Sequence, residues 1–257
     1  MRRLAIISLL SILTAICFST ALYAITADEV VQKHIEAKGG LDKLKALETV
    51  HMKGTMMMSG MQGQFEIWNK APYYHAMHVK VQGMTIQDGC NGKEVWNVSP
   101  MGLKKYEGED LKQRLEQARI EPLLGFKDRG GSWELIGEEP VKGQNAYKLL
   151  FTLETGDTTY SFFDAETFYM IKTSVPTPAG NIDQHFKDFM TVDGYVFPGS
   201  ITSSSQQGRV MIKMNEIEVN VPVADSLFVM PNPDDVPSAM KPLPDSIRNQ
   251  KPKTDGN

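Results

Sequence analysis

The sequence predicts a mainly β chain, folded as a barrel or strongly curved antiparallel sheet of about twelve strands. Three observations lead there. Short runs rich in β-branched and aromatic residues recur from Thr49 to Val219, joined by Gly-, Asn- and Asp-containing turns of hairpin length. Within those runs apolar and polar residues alternate, the period of a strand with one buried face. Only one stretch among those strands breaks that rhythm with a helical period, which argues against the alternating βαβ pattern of a parallel sheet.

The chain opens on Arg2 and Arg3, an uncharged apolar run from Leu4 to Phe18, and small residues at Ser19, Thr20, Ala21 and Ala24. This is the pattern of a secretory signal cut after Ala21 or Ala24. An uncleaved anchor is the competing reading, since Leu4 to Ala24 is nearly long enough to cross a bilayer. Cys17 follows Ile16, where a lipid-attachment box carries a small residue. The expected boundaries are a signal over 1–24, a folded domain over 25–231 and a Pro-rich tail over 232–257. Thr26-Ala27-Asp28-Glu29 is a capping box, in which the Thr hydroxyl and Glu carboxylate each satisfy a free amide at a helix start. Val30, Val31, Ile35 and Ala37 give that helix an apolar stripe, Gly39-Gly40 stop it, and Leu41, Leu44 and Leu47 mark a second short helical stretch.

Strands are expected at 49–58, 64–70, 73–81, 84–88 and 93–98, separated by turns at Ser59–Gly63, Ala71-Pro72, Gln82-Gly83 and Gly89–Gly92. In the first of them Val50, Met52, Met56 and Met58 fall on one face, with Gly54 the gap in the row. Eight of the fifteen methionines lie between Met52 and Met101. An unbranched thioether re-packs around varied ligands more readily than Leu or Ile does. The row is expected to face inward as the wall of an adaptable apolar pocket; methionine filling an ordinary core is the alternative.

From Lys104 to Phe126 the period changes, and Leu111, Leu115 and Ala118 share one helical face, with Asp110 and Arg114 as an i,i+4 pair. Pro122 ends that helix. Pro122-Leu123-Leu124-Gly125-Phe126 is then an apolar loop, either lying over an opening in the sheet or serving as buried linker. Strands return at 132–138, 145–153, 157–164, 167–175, 181–189, 195–204 and 208–219. After Met230 prolines recur among Asp, Ser, Lys and Asn, a composition unable to bury a core, so the tail is expected to be disordered.

Without the two leader arginines the chain carries 25 basic against 31 acidic residues, a net charge of −6, and no block of Lys or Arg. That excludes nucleic acid as the expected partner. Past the leader Cys90 is the only cysteine, so no intramolecular disulfide can form. GxSxG, CxxC, HExxH, phosphate-loop and dinucleotide motifs are all missing, which points to a non-enzymatic protein without a cofactor. His75-Ala76-Met77-His78 is the one tempting metal cluster. On a strand His75 and Met77 share a face while His78 points away, so no metal site is expected and copper or zinc binding stays a lesser alternative. His34, His51 and His185 read as surface or hydrogen-bonded rings; Trp68, Trp96 and Trp133 as cavity lining or ordinary core; Asp164, Glu166 and Cys90 as turn residues.

In order along the chain, GGLDKLKALETVHMKG (Gly39–Gly54), NGKEVWNVSP (Asn91–Pro100), FFDAETFYMIK (Phe162–Lys172), VDGYVFPGSI (Val192–Ile201) and EVNVPVADSLFVMP (Glu218–Pro231) together resemble the outer membrane lipoprotein-sorting protein family, with its LolA/LolB-like fold. The resemblance runs from about Thr26 to Pro231. It implies an incomplete, half antiparallel β-barrel of about 10–12 strands whose open side is covered by helices. It also implies a monomeric periplasmic carrier of lipoprotein acyl chains or another lipid, passing between an inner-membrane donor and an outer-membrane acceptor. On that fold the helices bearing Val30, Ile35, Leu111 and Leu115 are expected to close over inward-facing Met52, Met56, Met58, Phe65, Ile67, Met77 and Val79. A periplasmic sensor or interaction domain on the same fold is the alternative function. The family's carrier latches its lid through an arginine on the sheet that has no equivalent here; Lys53, Lys70 and Lys80 are the nearest basic residues. Its receptor-type member exposes an apolar residue at a loop tip, and Met61, beside Gly60 in an expected hairpin tip, is the matching candidate for membrane or partner contact.

Overall fold

A computed structural model of the chain describes residues 25–236. The signal read over 1–24 and the tail from 237 onward lie outside the described residues. Thirteen strands form one antiparallel sheet that is not closed into a barrel. One half is a meander of β1 (Thr49–Met58), β2 (Met61–Lys70), β3 (Tyr74–Val81), β4 (Met84–Asn91), β5 (Val95–Ser99) and β6 (Gly102–Lys105). The other half holds β7 (Ser132–Glu138), β8 (Ala146–Thr152), β9 (Thr158–Asp164), β10 (Met170–Val175) and β11 (Ile182–Lys187). A small separate hairpin, β12 (Met190–Val192) and β13 (Tyr195–Phe197), precedes β14 (Ser200–Ser205) and β15 (Gly208–Val219). Strand β15 pairs with β1 and β14 with β11, joining the halves and leaving β6 and β7 as free edges. The incomplete antiparallel half-barrel expected from the resemblance is therefore the observed class.

The seam between the halves explains the gap in the methionine row. Val50 lies opposite Val219 and Met58 opposite Val210, with a bulge between Lys53 and Gly54. A Cβ on Gly54 would come within 2.2 Å of the Lys213 carbonyl oxygen and 2.5 Å of the Phe65 ring. Gly54 is bare because Phe65 lies across it.

Two clusters fill the concave face. Helix α1 (Ala27–Ala37) starts on the expected capping box: Thr26 Oγ1 accepts from the Glu29 amide at 3.2 Å, and the Thr26 amide donates to Glu29 Oε2 at 2.7 Å. Its Val30 and Val31 pack with Leu149, Phe151, Phe163 and Phe126. Helix α2 (Leu41–Lys45) and the β12–β13 hairpin bring Leu44, Leu47 and Tyr195 over Val50, Phe65, Val79, Met214 and Ile217. Helix α3 (Gly108–Gln117) buries no residue fully and packs Leu111 and Leu115 at the β4–β6 end, against Cys90, Val95 and Tyr106. The methionine wall is thus covered by α2 and the small hairpin, with Ile35 of α1 packed against the same cluster, whereas α3, expected there too, seats elsewhere.

Several local readings shift. Met61 opens strand β2 opposite Met58, and the hairpin tip is only Ser59-Gly60, because two residues with positive φ (50° and 80°) close the turn. Cys90 is a buried strand residue facing α3 rather than part of a turn. The run read as one strand over 195–204 is interrupted at Pro198-Gly199, since proline cannot donate to a ladder. On the convex face Val236 is buried with Trp96 and Val98, so packing continues beyond the boundary expected at Pro231.

Candidate functional site

Between α1 and the irregular segment Arg119–Phe126, termed the strap, an apolar pocket of about 190 Å³ opens on the concave face. Strands β10 and β11 contribute Met170 and Phe186, α1 contributes Ile35, α2 contributes Leu44, and the end of the β12–β13 hairpin contributes Val196 and Pro198. Pro122, Leu123 and Leu124 of the strap line it from above, with Tyr169 and Phe189 among its aromatic walls. The apolar loop singled out in the sequence therefore lies over the sheet.

Polar groups cluster at one side of this pocket. His34 and Lys38 stand one helical turn apart on α1 and both line it. His34 Nδ1 donates to the Phe168 carbonyl at 2.8 Å, and its ring meets Phe163 edge-on at 5.0 Å. Burial, with the charge of Lys38 adding to it, pushes the His34 pKa down to about 4 against the opposing effect of the Phe168 bond. The ring is uncharged at neutral pH. Lys38 Nζ donates to both carboxylate oxygens of Glu121, each at 2.8 Å, and the Glu121 side chain is only 7% exposed. A carboxylate this buried is stable only with such a partner.

The strap is held from outside the pocket. Arg129 donates to the carbonyls of Leu124 at 2.6 Å and Pro122 at 2.7 Å, and to Glu116 at 3.0 Å. Burial raises the Glu116 carboxyl, but the hydrogen bond and charge of Arg119, joined by Arg129, outweigh it and hold the group below its usual range. The Arg119 guanidinium also sits 4.3 Å from the Tyr73 ring centroid, tying the strap to the β2–β3 turn. A wider cleft of about 490 Å³ lies between α3 and the β8–β9 turn, and the charged Lys112, Glu116, Asp128, Arg129 and Glu154 stand in its lining beside Leu115, Phe126 and Leu153.

Of the residues singled out in the sequence, Ile35 lines the apolar pocket. Met52, Met56, Ile67 and Met77 are partly buried beside it against the α2-covered cluster, which contains Phe65 and Val79. Val30 is fully buried on the inner face of α1, Met58 is half-buried near the hairpin tip, and Leu111 and Leu115 seat α3 elsewhere. Lys38, Glu121 and Phe186 carry no motif in the sequence, and Val196 lies in the Val192–Ile201 phrase without being singled out there; only their convergence in space marks them.

The remaining candidates have structural partners. His75 Nδ1 donates to Asn69 Oδ1 at 2.8 Å, while His78 lies edge-on to Trp68 at 5.1 Å on the other face. His51 bridges Glu66 and Glu218 at 2.8 and 3.0 Å on the convex face. Asp164 accepts from the Glu166 and Thr167 amides at 3.2 and 2.8 Å, the turn role expected of it. Among the described residues no three His, Cys, Asp or Glu side chains are grouped to hold a metal ion.

An open antiparallel half-barrel with an apolar pocket capped on its concave face is a LolA-like fold. The chain is similar to a DUF1329 family protein from Desulfovibrio piger (TM-score 0.56, 12% identity, covering 79% of this chain and 96% of that one). It is similar to a putative outer membrane lipoprotein-sorting protein domain from Vibrio parahaemolyticus (TM-score 0.53, 10% identity, 78% and 94% covered). It is also similar to a LolA superfamily protein from Nitrosomonas europaea (TM-score 0.51, 13% identity, 80% and 99% covered). No protein-family model matches the sequence, and no curated protein matches it.

Proposed function

We propose that this chain is a non-enzymatic periplasmic carrier that holds an acyl chain of a lipoprotein, or of another lipid, beneath the strap for transfer toward the outer membrane. The observation that carries this reading is the pocket of about 190 Å³, walled by aliphatic and aromatic side chains on the concave face of a LolA-like sheet. An apolar cavity of about 150 Å³ already stays dry and holds benzene. The pocket therefore accommodates roughly seven methylenes, worth about 6 kcal/mol at ~0.8 kcal/mol per buried CH₂ before ordering costs. A longer chain needs more room, and the partly buried Met52, Met56, Ile67 and Met77 beside the pocket can re-pack to supply it. The Vibrio neighbour, described as a lipoprotein-sorting domain, supports the class of cargo, and the signal-like segment over 1–24 supports the compartment. A monomer shuttling between an inner-membrane donor and an outer-membrane acceptor fits this role, with no cofactor.

Native mass spectrometry of the protein purified from the periplasm without detergent, followed by organic extraction, tests the reading. A bound acyl lipid that is lost in Leu124→Asp is the expected result. An empty protein that also ignores a fluorescent fatty acid would sink it.

One observation favours a second reading, an interaction domain. Five of the eight exposed large apolar side chains among the described residues, Met57, Met84, Met101, Ile182 and Met211, lie at the same end of the sheet. Met61 stands at that end too, beside the Ser59-Gly60 turn. A stable protein partner lost in Met84→Asp, with no extractable lipid, would favour this reading over the carrier.

A further inference from the structure

We infer that the strap segment Glu121–Leu124 is a built-in stand-in for the ligand, and that the pocket selects an amphiphile whose anionic head, carboxylate or phosphate, joins directly to an apolar chain. This rests on the carrier reading and names the ligand class of that same pocket. In chain order the strap presents a carboxylate and then three apolar residues, Pro122, Leu123 and Leu124, all lining the pocket. The carboxylate occupies Lys38 with both oxygens at 2.8 Å. Leu123 packs against the α1-covered cluster and Leu124 against the α2-covered one, so the apolar part bridges both halves of the core as an acyl chain running in from Lys38 would.

The two partners are mounted differently. Lys38 caps α1, whose Val30, Val31 and His34 are buried, and its own carbonyl accepts from the Val196 amide at 3.1 Å. Glu121 sits on irregular chain, tied by the outlying Arg129 contacts. Lys38 therefore stays in place when the strap lifts, and Glu121 is released to water, where an ionised carboxylate is well solvated. Among the described residues Lys38 is the only positive charge in the lining, because His34 is uncharged at neutral pH. An incoming anion exchanges with Glu121 one for one, keeping Lys38 paired. A neutral amphiphile offers no such exchange.

Titration calorimetry of the delipidated mature protein with dodecanoate, dodecyl phosphate and dodecan-1-ol tests the assignment in wild type, Glu121→Gln, Lys38→Met and Lys38→Arg. Removing the internal competitor in Glu121→Gln tightens the anions roughly tenfold and the alcohol by less than about twofold. Lys38→Met binds alcohol and anions alike, and Lys38→Arg restores the preference for anions. Preference for dodecanoate alone identifies a carboxylate head; equal gains for both anions identify general anion recognition. Glu121→Gln tightening all three ligands equally, or Lys38→Met keeping the anion preference, overturns the inference while the carrier reading stands. Cooperatively melting proteins that bind none of the three overturn the carrier reading itself, and this inference with it.

Discussion

His34→Gln removes a buried ring that takes up a proton in the folded protein only near pH 4. With the folded pKa at about 4 and the ordinary value at 6.5, the unfolded chain takes up a proton over a range where the folded protein does not. The stability carried by the neutral ring is complete above pH 6.5 and drains as the pH falls from 6.5 to 4. The loss amounts to about 2 kcal/mol at pH 5 and about 3 kcal/mol at pH 4. Burial also lowers the pKa values of His75, His78 and His185, so the whole protein weakens in acid and the informative quantity is the difference between wild type and variant. Urea unfolding followed by tryptophan fluorescence at pH 7, 5 and 4 measures it. At pH 7 the variant is the weaker protein, having lost the fit against Phe163. By pH 5 the gap closes by about 2 kcal/mol, and His34→Phe, which also cannot titrate, behaves the same way. Parallel pH profiles for wild type and both variants would refute the claim that the ring is held neutral beneath α1.

Arg129→Ala frees the Leu124 and Pro122 carbonyls; hydrogen exchange of the strap amides then accelerates by roughly tenfold or more while the β1–β15 ladder is unaffected, and unchanged strap protection would count against Arg129 as its fastening. Gly54→Ala places a methyl 2.2 Å from the Lys213 carbonyl oxygen and costs about 2–4 kcal/mol in chemical denaturation, a loss below about 0.5 kcal/mol being incompatible with Phe65 lying across that position. Val236→Asp sets a charge against Trp96 and Val98 and costs about 2 kcal/mol, with a red-shifted tryptophan emission; identical melting and emission would detach this segment from the domain.

Much of the scaffold can be read residue by residue. The Thr26–Glu29 capping box places the start of α1, the Gln82-Gly83 turn places the β3–β4 hairpin, and alternation assigns Met52, Met56, Phe65, Ile67, Met77 and Val79 to one face. Each of these signals acts between residues that are neighbours along the chain or across one turn. The lid leaves a weaker mark in the sequence. The stripe Leu111, Leu115 and Ala118 marks a helix without saying where it seats, and α3 lands on Cys90 and Tyr106 instead of over the methionines.

The sequence by itself determines an antiparallel β chain with one apolar face and an apolar loop after the third helix, with Cys90 the one cysteine past the leader-like segment. It does not determine the pocket. Lys38 and Glu121 are 83 residues apart, and Ile35, Leu124, Phe186 and Val196 come from four separate segments whose meeting depends on β15 pairing with β1 and β14 with β11. Periodicity and capping are short-range physics and leave a mark at fixed spacings. A cavity is set by the register of strands that are distant in the chain and by the helices laid across them, and no spacing in the sequence encodes which side chains will share it.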